Sequence, residues 1–280
     1  MTSEVIETAP KCGGPRDAWD KRATVADYLR DTAALADVEL RKLRRDPAEL
    51  LTRAIQPALW LLVFGQVFGR LKAIPTGSLD YLTFMVPGIL AQSVLFIAIF
   101  YGISVIWERD LGILQKLLVS PAPRTALVLG KALSAGVRGL AQGVIIYILA
   151  LLLGIHLDFS VWHIMGVVLF IILGSALFST FSLAVACLVK TRERFMGIGQ
   201  VLTMPLFFAS NAIYPIASTP GWVRGVARVN PLSYQVDALR SLMVRGGQPI
   251  FGVGLDAVVL LLVFSALVLV TARLYPNVVG

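Results

Sequence analysis

The chain has 280 residues, 57% of them hydrophobic and 15% charged, with a mean hydropathy of +0.78; soluble chains carry roughly 25% charged residues, so an ordinary water-soluble domain is excluded. A membrane span needs only ~20 mostly apolar residues, and repeated apolar runs account for the length. The net charge of +8 arises beyond residue 53, because residues 1–53 hold ten Lys/Arg and ten Asp/Glu; the excess lies beside apolar runs, forms no basic stripe on a soluble face, and gives no expectation of a nucleic-acid partner.

Residues 1–24 are polar, carry Gly13-Gly14-Pro15 and lack the apolar stretch of a cleavable signal, so they read as a disordered cytoplasmic tail. Residues 25–45 read as an amphipathic helix in the headgroup plane, with Val25, Leu29, Ala36, Leu40 and Leu43 on one face. Six membrane helices follow, predicted over 55–70, 82–107, 132–155, 164–189, 195–216 and 255–274, which makes the chain an all-α membrane protein. Pro57 falls near the start of the first, where a missing N–H costs little. Pro205 is expected to kink the fifth. Gly130, Gly136, Gly166, Gly174, Ser175 and Ser179 permit close helix approach in the third and fourth. Cys12 and Cys187 lie too far apart in character and sequence to read as a disulfide or metal set.

Loop charges orient the bundle. With the N-terminus inside, inner segments carry Arg41, Lys42, Arg44, Arg45, Arg53, Arg109, Lys116, Arg124, Lys131, Lys190, Arg192, Arg194 and Arg273. Outer segments carry Arg70, Lys72, Arg224, Arg228, Arg240 and Arg245. Thirteen against six places both termini in the cytoplasm.

Three places carry chemistry. After Trp107, the charges Glu108, Arg109, Asp110 and Lys116 alternate with Leu111, Ile113, Leu114, Leu117 and Leu118 until Pro121 and Pro123. This spacing predicts a short amphipathic helix whose apolar side fits a groove on a soluble partner. Pro215 and Pro220-Gly221 break the fifth helix at the outer face, and residues 223–229 and 232–243 read as two short helices joined at Asn230-Pro231. Dipping into the outer leaflet, they would keep Arg224, Arg228, Arg240 and Arg245 near lipid phosphates. Arg138 is the one charge near the interior of a span, where a guanidinium at a helix centre costs ~2.5–3.5 kcal/mol. Either it reaches the inner headgroups, or it lines an inward cavity together with Gln142. His156 and His163 read as solvated loop residues beside Asp158.

Other classes find little support. Gly130-Lys131 is followed by Ala132, and position 125 is Thr, so no phosphate-cradling loop is present. An ion-coupled secondary transporter favours ionisable residues at the midplane, and spans two, four, five and six have none in their middles. An intramembrane enzyme would need a catalytic constellation, and no HExxH, nucleophile elbow or CxxC pair occurs.

Tyr81, Phe84, Pro87-Gly88, Ser104, Glu108-Arg109, Gly112, Leu117-Leu118, Ser120-Pro121, Arg124 and Gly130-Lys131 form one ordered block; residues 207–215 and the stretch from Pro220-Gly221-Trp222 through Asn230-Pro231-Leu232-Ser233-Tyr234 to Arg240 form a second. Together they resemble the ABC-2-type export permeases, the daunorubicin/doxorubicin exporter membrane subunits, over residues 25 to 275. The resemblance implies one transmembrane domain over 25–280 that moves amphiphilic drugs or lipids outward across a bacterial plasma membrane. It makes Glu108, Arg109, Leu111, Leu114, Leu117 and Pro121 a coupling helix against a separate ATPase subunit, which binds ATP and Mg; this chain itself holds no cofactor and no catalytic residue. It places Asn211, Pro215, Asn230, Pro231 and Arg240 in a re-entrant outer region near the exit path. It also implies a second copy or a homologous permease as partner, in contact with membrane lipids. Polysaccharide or glycolipid export is the alternative within the same superfamily.

Overall fold

The structure, a computed structural model, describes residues 41, 47–71, 74–77, 79–111, 124–189 and 191–274. The tail at 1–24, the predicted helix at 25–45 apart from Arg41, and residues 112–123, with Leu114, Leu117 and Pro121, lie outside the described residues.

In chain order the helices are α1 (Pro47–Leu59), a π-helical turn (Trp60–Gly65), α2 (Gln66–Leu71), α3 (Tyr81–Tyr101), α4 (Ile103–Asp110), α5 (Arg124–Leu152), α6 (Val161–Leu188), α7 (Arg192–Phe208), a 3-10 turn (Ile216–Ser218), α8 (Gly221–Val229), α9 (Pro231–Met243) and α10 (Val253–Leu274). Among the described residues no β-strand forms beyond the isolated bridge between Leu157 and Val244. Among the described residues five helical stretches are long and apolar enough to cross a membrane: Ala54–Leu71, Tyr81–Asp110, Val128–Leu152, Val161–Leu188 and Val253–Leu274.

The centre of the bundle is α3 and α6. Sixteen residues of α3, from Tyr81 to Ile99, are buried, on every side of the helix. This is why its sequence is apolar without periodicity, the pattern of a helix surrounded by protein. α6 packs against α3, α5, α9 and α10. Close approach there depends on small side chains. A Cβ at Gly139 would collide with Ser175 Oγ, and one at Gly88 would collide with the backbone of Ala212. Thr271 of α10 donates to the carbonyl of Thr180 of α6 at 3.3 Å. By contrast α7 buries only Phe195, Gly199, Thr203 and Phe207. These recur every four residues, a single narrow seam, and leave Val201 69% exposed. The outer face of α1 and the π turn is likewise apolar and uncovered, with Ile55, Leu59, Leu62, Val63 and Phe64 exposed.

Three expectations need correction. Pro57 stands inside α1, not near the start of a helix, because α1 begins ten residues earlier at Pro47. The π turn at Trp60–Gly65 follows it closely. The second span runs on to Asp110, with a single turn residue, Gly102, between α3 and α4; Ser182 Oγ and Phe195 press on the space a side chain would need there. The predicted fifth span is shorter than expected, since α7 has 17 residues and ends at Phe208. At 1.5 Å per residue it measures ~25 Å, less than the ~30 Å hydrocarbon core. Its end is fixed from outside the helix: Asn230 Nδ2 donates to the carbonyls of Leu206 at 2.7 Å and Ala209 at 3.2 Å. Ser210, Asn211 and Ala212 then continue as non-helical chain buried in protein, the setting in which irregular backbone is tolerated at membrane depth.

Candidate functional site

The charged end of α4 is held inside the chain. Lys131 Nζ of α5 lies 2.6 Å from Glu108 Oε2, and the two side chains are 13% and 29% exposed. Arg192, at the start of α7, donates to Asp110 at 2.7 Å, and its guanidinium stacks over the Trp107 ring at 3.7 Å. Arg109 donates to Asp110 at 3.3 Å and to the carbonyl of Val189 at 3.3 Å. Leu111 is 67% exposed where the described chain stops. So Glu108 ties α4 to α5, Arg109 ties it to the end of α6 and Asp110 ties it to α7, and Leu111 is the one predicted contact residue described here that faces outward. In sequence, residues 112–123 lie between the two members of the Glu108–Lys131 pair.

A cavity of about 270 Å³ opens between α1, α3 and α5. Its polar lining is Thr52, Gln56, Ser93 and Gln142, and its apolar lining includes Phe96, Ile97 and Phe100. Gln142 is 1% exposed. Arg138, one turn nearer the start of α5, is half-buried with its guanidinium 5.2 Å from the centre of the Tyr101 ring; it is not among the lining residues. A second hollow of about 570 Å³ shares Thr52 and Gln56 and extends along α1 to Trp60 and Phe64. Rings continue the line, with Phe64 and Phe68 stacked at 6.1 Å and Phe68 and Tyr81 at 6.0 Å.

At the opposite end of α3 the two sequence blocks meet. Arg240 Nη2 donates to the carbonyl of Asn211 at 2.7 Å and Nε to that of Phe84 at 3.4 Å. Its guanidinium lies 3.8 Å over the Phe84 ring. Asn230 caps α9 by accepting from Leu232 N–H at 3.0 Å, with Pro231 in the first turn. Pro215 leads into the 3-10 turn, and Asn211 is fully buried. Arg228 and Arg245 are exposed, and Arg224 donates to the carbonyls of Ala217 and Thr219. Arg240, however, is only 4% exposed. The expectation that it reaches lipid phosphates along its own helix is therefore corrected: backbone carbonyls and an aromatic face, supplied by distant segments, hold it within the protein.

Other residues were missed. Asp237 accepts from the backbone N–H of Ile250 at 2.7 Å and of Phe251 at 2.8 Å, which fixes the loop before α10. Asp256, in the first turn of α10, is fully buried and neither carboxylate oxygen has a partner among the described residues. His163, expected as a solvated loop residue, stands in the first turn of α6; its Nδ1 pairs with Asp158, which also accepts from Ser160 N–H, each at 2.9 Å. The Ser160 bond and His163 together hold its carboxyl below the usual carboxylate range. The sequence signal for the outer cluster is its place in the second ordered block, residues 207–215 and 220–240.

Residues 30–244 match the sequence model of the family described as ABC-2 type transporter. The chain belongs to the ABC-2 type transporter family. This permease is 29% identical over 234 residues to the daunorubicin resistance ABC transporter permease protein DrrB1 of Streptomyces coeruleorubidus, covering 82% of this chain and 81% of that protein. It is 30% identical to the ycf38 protein of Cyanophora paradoxa, named as a transport permease, over 77% of this chain and 74% of that one. A Mycobacterium tuberculosis protein named as the doxorubicin resistance permease DrrC is 27% identical over 88% of this chain and 86% of its own length. The ABC-2 permease is thus an all-helical, membrane-embedded protein.

Proposed function

We propose that this chain is the membrane-spanning subunit of an ATP-driven exporter that moves amphiphilic drugs or lipids outward. The observation that carries the reading is the paired charge cluster at Glu108–Lys131 and Asp110–Arg192. It braces four helices at the end of α4, next in sequence to residues 112–123, the segment against which a separate ATPase would push. ATP and Mg would be bound by that subunit. Relatives named for daunorubicin and doxorubicin resistance support amphiphilic cargo. So does the cavity, where amide and hydroxyl groups sit beside Phe96 and Phe100. In this reading α7 is a fifth crossing completed by the partly buried segment at 209–216, α8 and α9 form a re-entrant outer pair, and both termini are cytoplasmic. The exposed apolar faces of α1 and α7 meet a second copy or a homologous permease, so that the hollows along Thr52, Gln56 and Trp60 become one wall of a shared path. Gln142 faces that path, with Arg138 at its inner edge.

The aromatic line from Trp60 through Phe64 and Phe68 to Tyr81 favours a second reading, export of a polysaccharide or glycolipid, because sugar faces stack on rings. Reconstitution with the cognate ATPase in proteoliposomes separates the two. ATP-dependent release of a fluorescent amphiphile supports drug or lipid export, and release of labelled glycan alone supports the alternative. The chain by itself is expected to hydrolyse no ATP. Cysteines introduced at Ser160 and Thr219 should react with an impermeant maleimide from outside; labelling only after permeabilisation would reverse the orientation.

A further inference from the structure

At the Arg240 end of the bundle lies a separate hollow of about 390 Å³. The connection before α3 supplies Thr76 and Leu79 to its wall, the re-entrant region supplies Pro215, and the loop before α10 supplies Gln248 and Ile250. Arg240 is the one charged residue among those that line it. The guanidinium is fixed before any ligand arrives. Nη2 and Nε are spent on the carbonyls of Asn211 and Phe84, and the Phe84 ring covers one face. Nη1 has no hydrogen-bond partner among the described residues. Asp237, one turn away, does not form an ion pair with it there; that carboxylate is turned to the backbone amides of Ile250 and Phe251 and so holds the wall in place.

A guanidinium stays charged at any ordinary pH, and its fork of N–H donors matches a tetrahedral or planar oxyanion. Burying one with a donor unused is costly unless an acceptor completes it. The hollow lies against the Arg240 side chain, with Nη1 itself covered, so an acceptor in the hollow reaches that donor by displacing the wall. Its remaining surface is mostly apolar, from Leu79, Phe84, Pro215 and Ile250, with Thr76 and Gln248 as further hydrogen-bonding groups. We propose that this hollow binds a phosphate oxyanion on Arg240, carried by the headgroup of an anionic lipid or amphiphile or present as free phosphate. The inference rests on the export reading only for the statement that the ligand comes from the outer leaflet.

The test uses the purified full-length chain. Native mass spectrometry counts phosphatidylglycerol retained against phosphatidylcholine, and thermal unfolding compares inorganic phosphate with chloride at equal ionic strength. Arg240→Gln removes the charge. Gln248→Trp, at an exposed wall position, fills the hollow without touching the buried face of α9. Each is expected to weaken phosphatidylglycerol retention about tenfold, the scale of one charge-assisted hydrogen bond. Loss of both lipid retention and phosphate stabilisation in the variants identifies a free oxyanion site; loss of lipid retention where phosphate has no effect identifies a headgroup site. If Arg240→Gln does not accumulate, Gln248→Trp decides alone. Selectivity absent from the parent chain, or undiminished by Gln248→Trp, overturns the proposal. A cysteine at the exposed Gln248, probed with an impermeant reagent, tests the sidedness separately: labelling from the cytoplasmic side leaves the site standing and removes the outer-leaflet assignment.

Discussion

Reversing the charge at Glu108 tests whether the base of α4 is mechanically tied to α5. Glu108 Oε2 and Lys131 Nζ are 2.6 Å apart, with side chains 29% and 13% exposed. Fully exposed pairs contribute about 0.2–1 kcal/mol, and stranding one member of a fully buried pair costs about 3–5 kcal/mol. This half-buried pair falls between, at about 1–3 kcal/mol. Glu108→Lys adds repulsion, since Lys131 would then face a like charge. Lys131→Glu does the same with opposite sign. The double reversal, Glu108→Lys with Lys131→Glu, restores the attraction. Each single variant is expected to lower the unfolding midpoint of the purified chain by about 5 °C and to reduce ATP-driven transport in proteoliposomes more than it reduces ATP hydrolysis. The double variant should recover at least half of both losses, a coupling that independent sites lack. If its losses equal the sum of the single losses, the pair does not tie α4 to α5 and the reasoning fails. Transport by Glu108→Lys at the parent rate would remove the coupling role from this end of α4.

Asn230→Ala removes a helix cap and two bonds to the end of α7, and is expected to cost about 1–2 kcal/mol, read as a lower unfolding midpoint, whereas Asn230→Asp keeps the cap and should lose less. Gly139→Leu places a side chain where Ser175 stands; it should separate α5 from α6 and abolish accumulation of folded protein, measured by size-exclusion profile in detergent. Asp256→Asn removes a buried carboxyl that has no partner for a charge and is expected to raise the midpoint. Asp158 contributes stability that is present above the ordinary carboxylate value near 3.8 and is lost as pH falls through its depressed folded value; Asp158→Asn should therefore differ from the parent in melts at pH 7 and converge with it in strong acid.

How much of this could be read from the residues depends on where each determinant lies. The second, fourth and sixth spans were legible because long apolar runs without charge in their middles have few uses outside a membrane, and their helices, Tyr81–Tyr101, Val161–Leu188 and Val253–Leu274, fall close to the expected ranges. The end of α7 was not legible, because hydropathy continues past Phe208 while the carbonyls there are claimed by Asn230, more than twenty residues away in sequence. The π turn at Trp60–Gly65 has no composition of its own. For the predicted site, Glu108 and Gln142 stand at a helix junction and a cavity wall, but their neighbours Lys131, Thr52 and Ser93 come from other segments. Such pairings carry no local signal.

Arg240 makes the same point most sharply, and it bears on what the outer end can do. An arginine on a short amphipathic helix beside other basic residues has the pattern of a side chain reaching for headgroups, and Arg228 and Arg245, which are exposed, fit that pattern. What separates Arg240 from them is supplied from two places far away in the chain. The Phe84 ring covers it, and Asn211 turns a carbonyl toward it. The Asn211 carbonyl belongs to a segment packed so tightly on α3 that position 88 admits only glycine. Enlarging that glycine would therefore displace the chain that holds the guanidinium. Gly88→Ala should alter anion retention at the Arg240 hollow although it touches neither the hollow nor the charge, and the same change should leave the Glu108–Lys131 end, at the opposite pole of α3, unaltered.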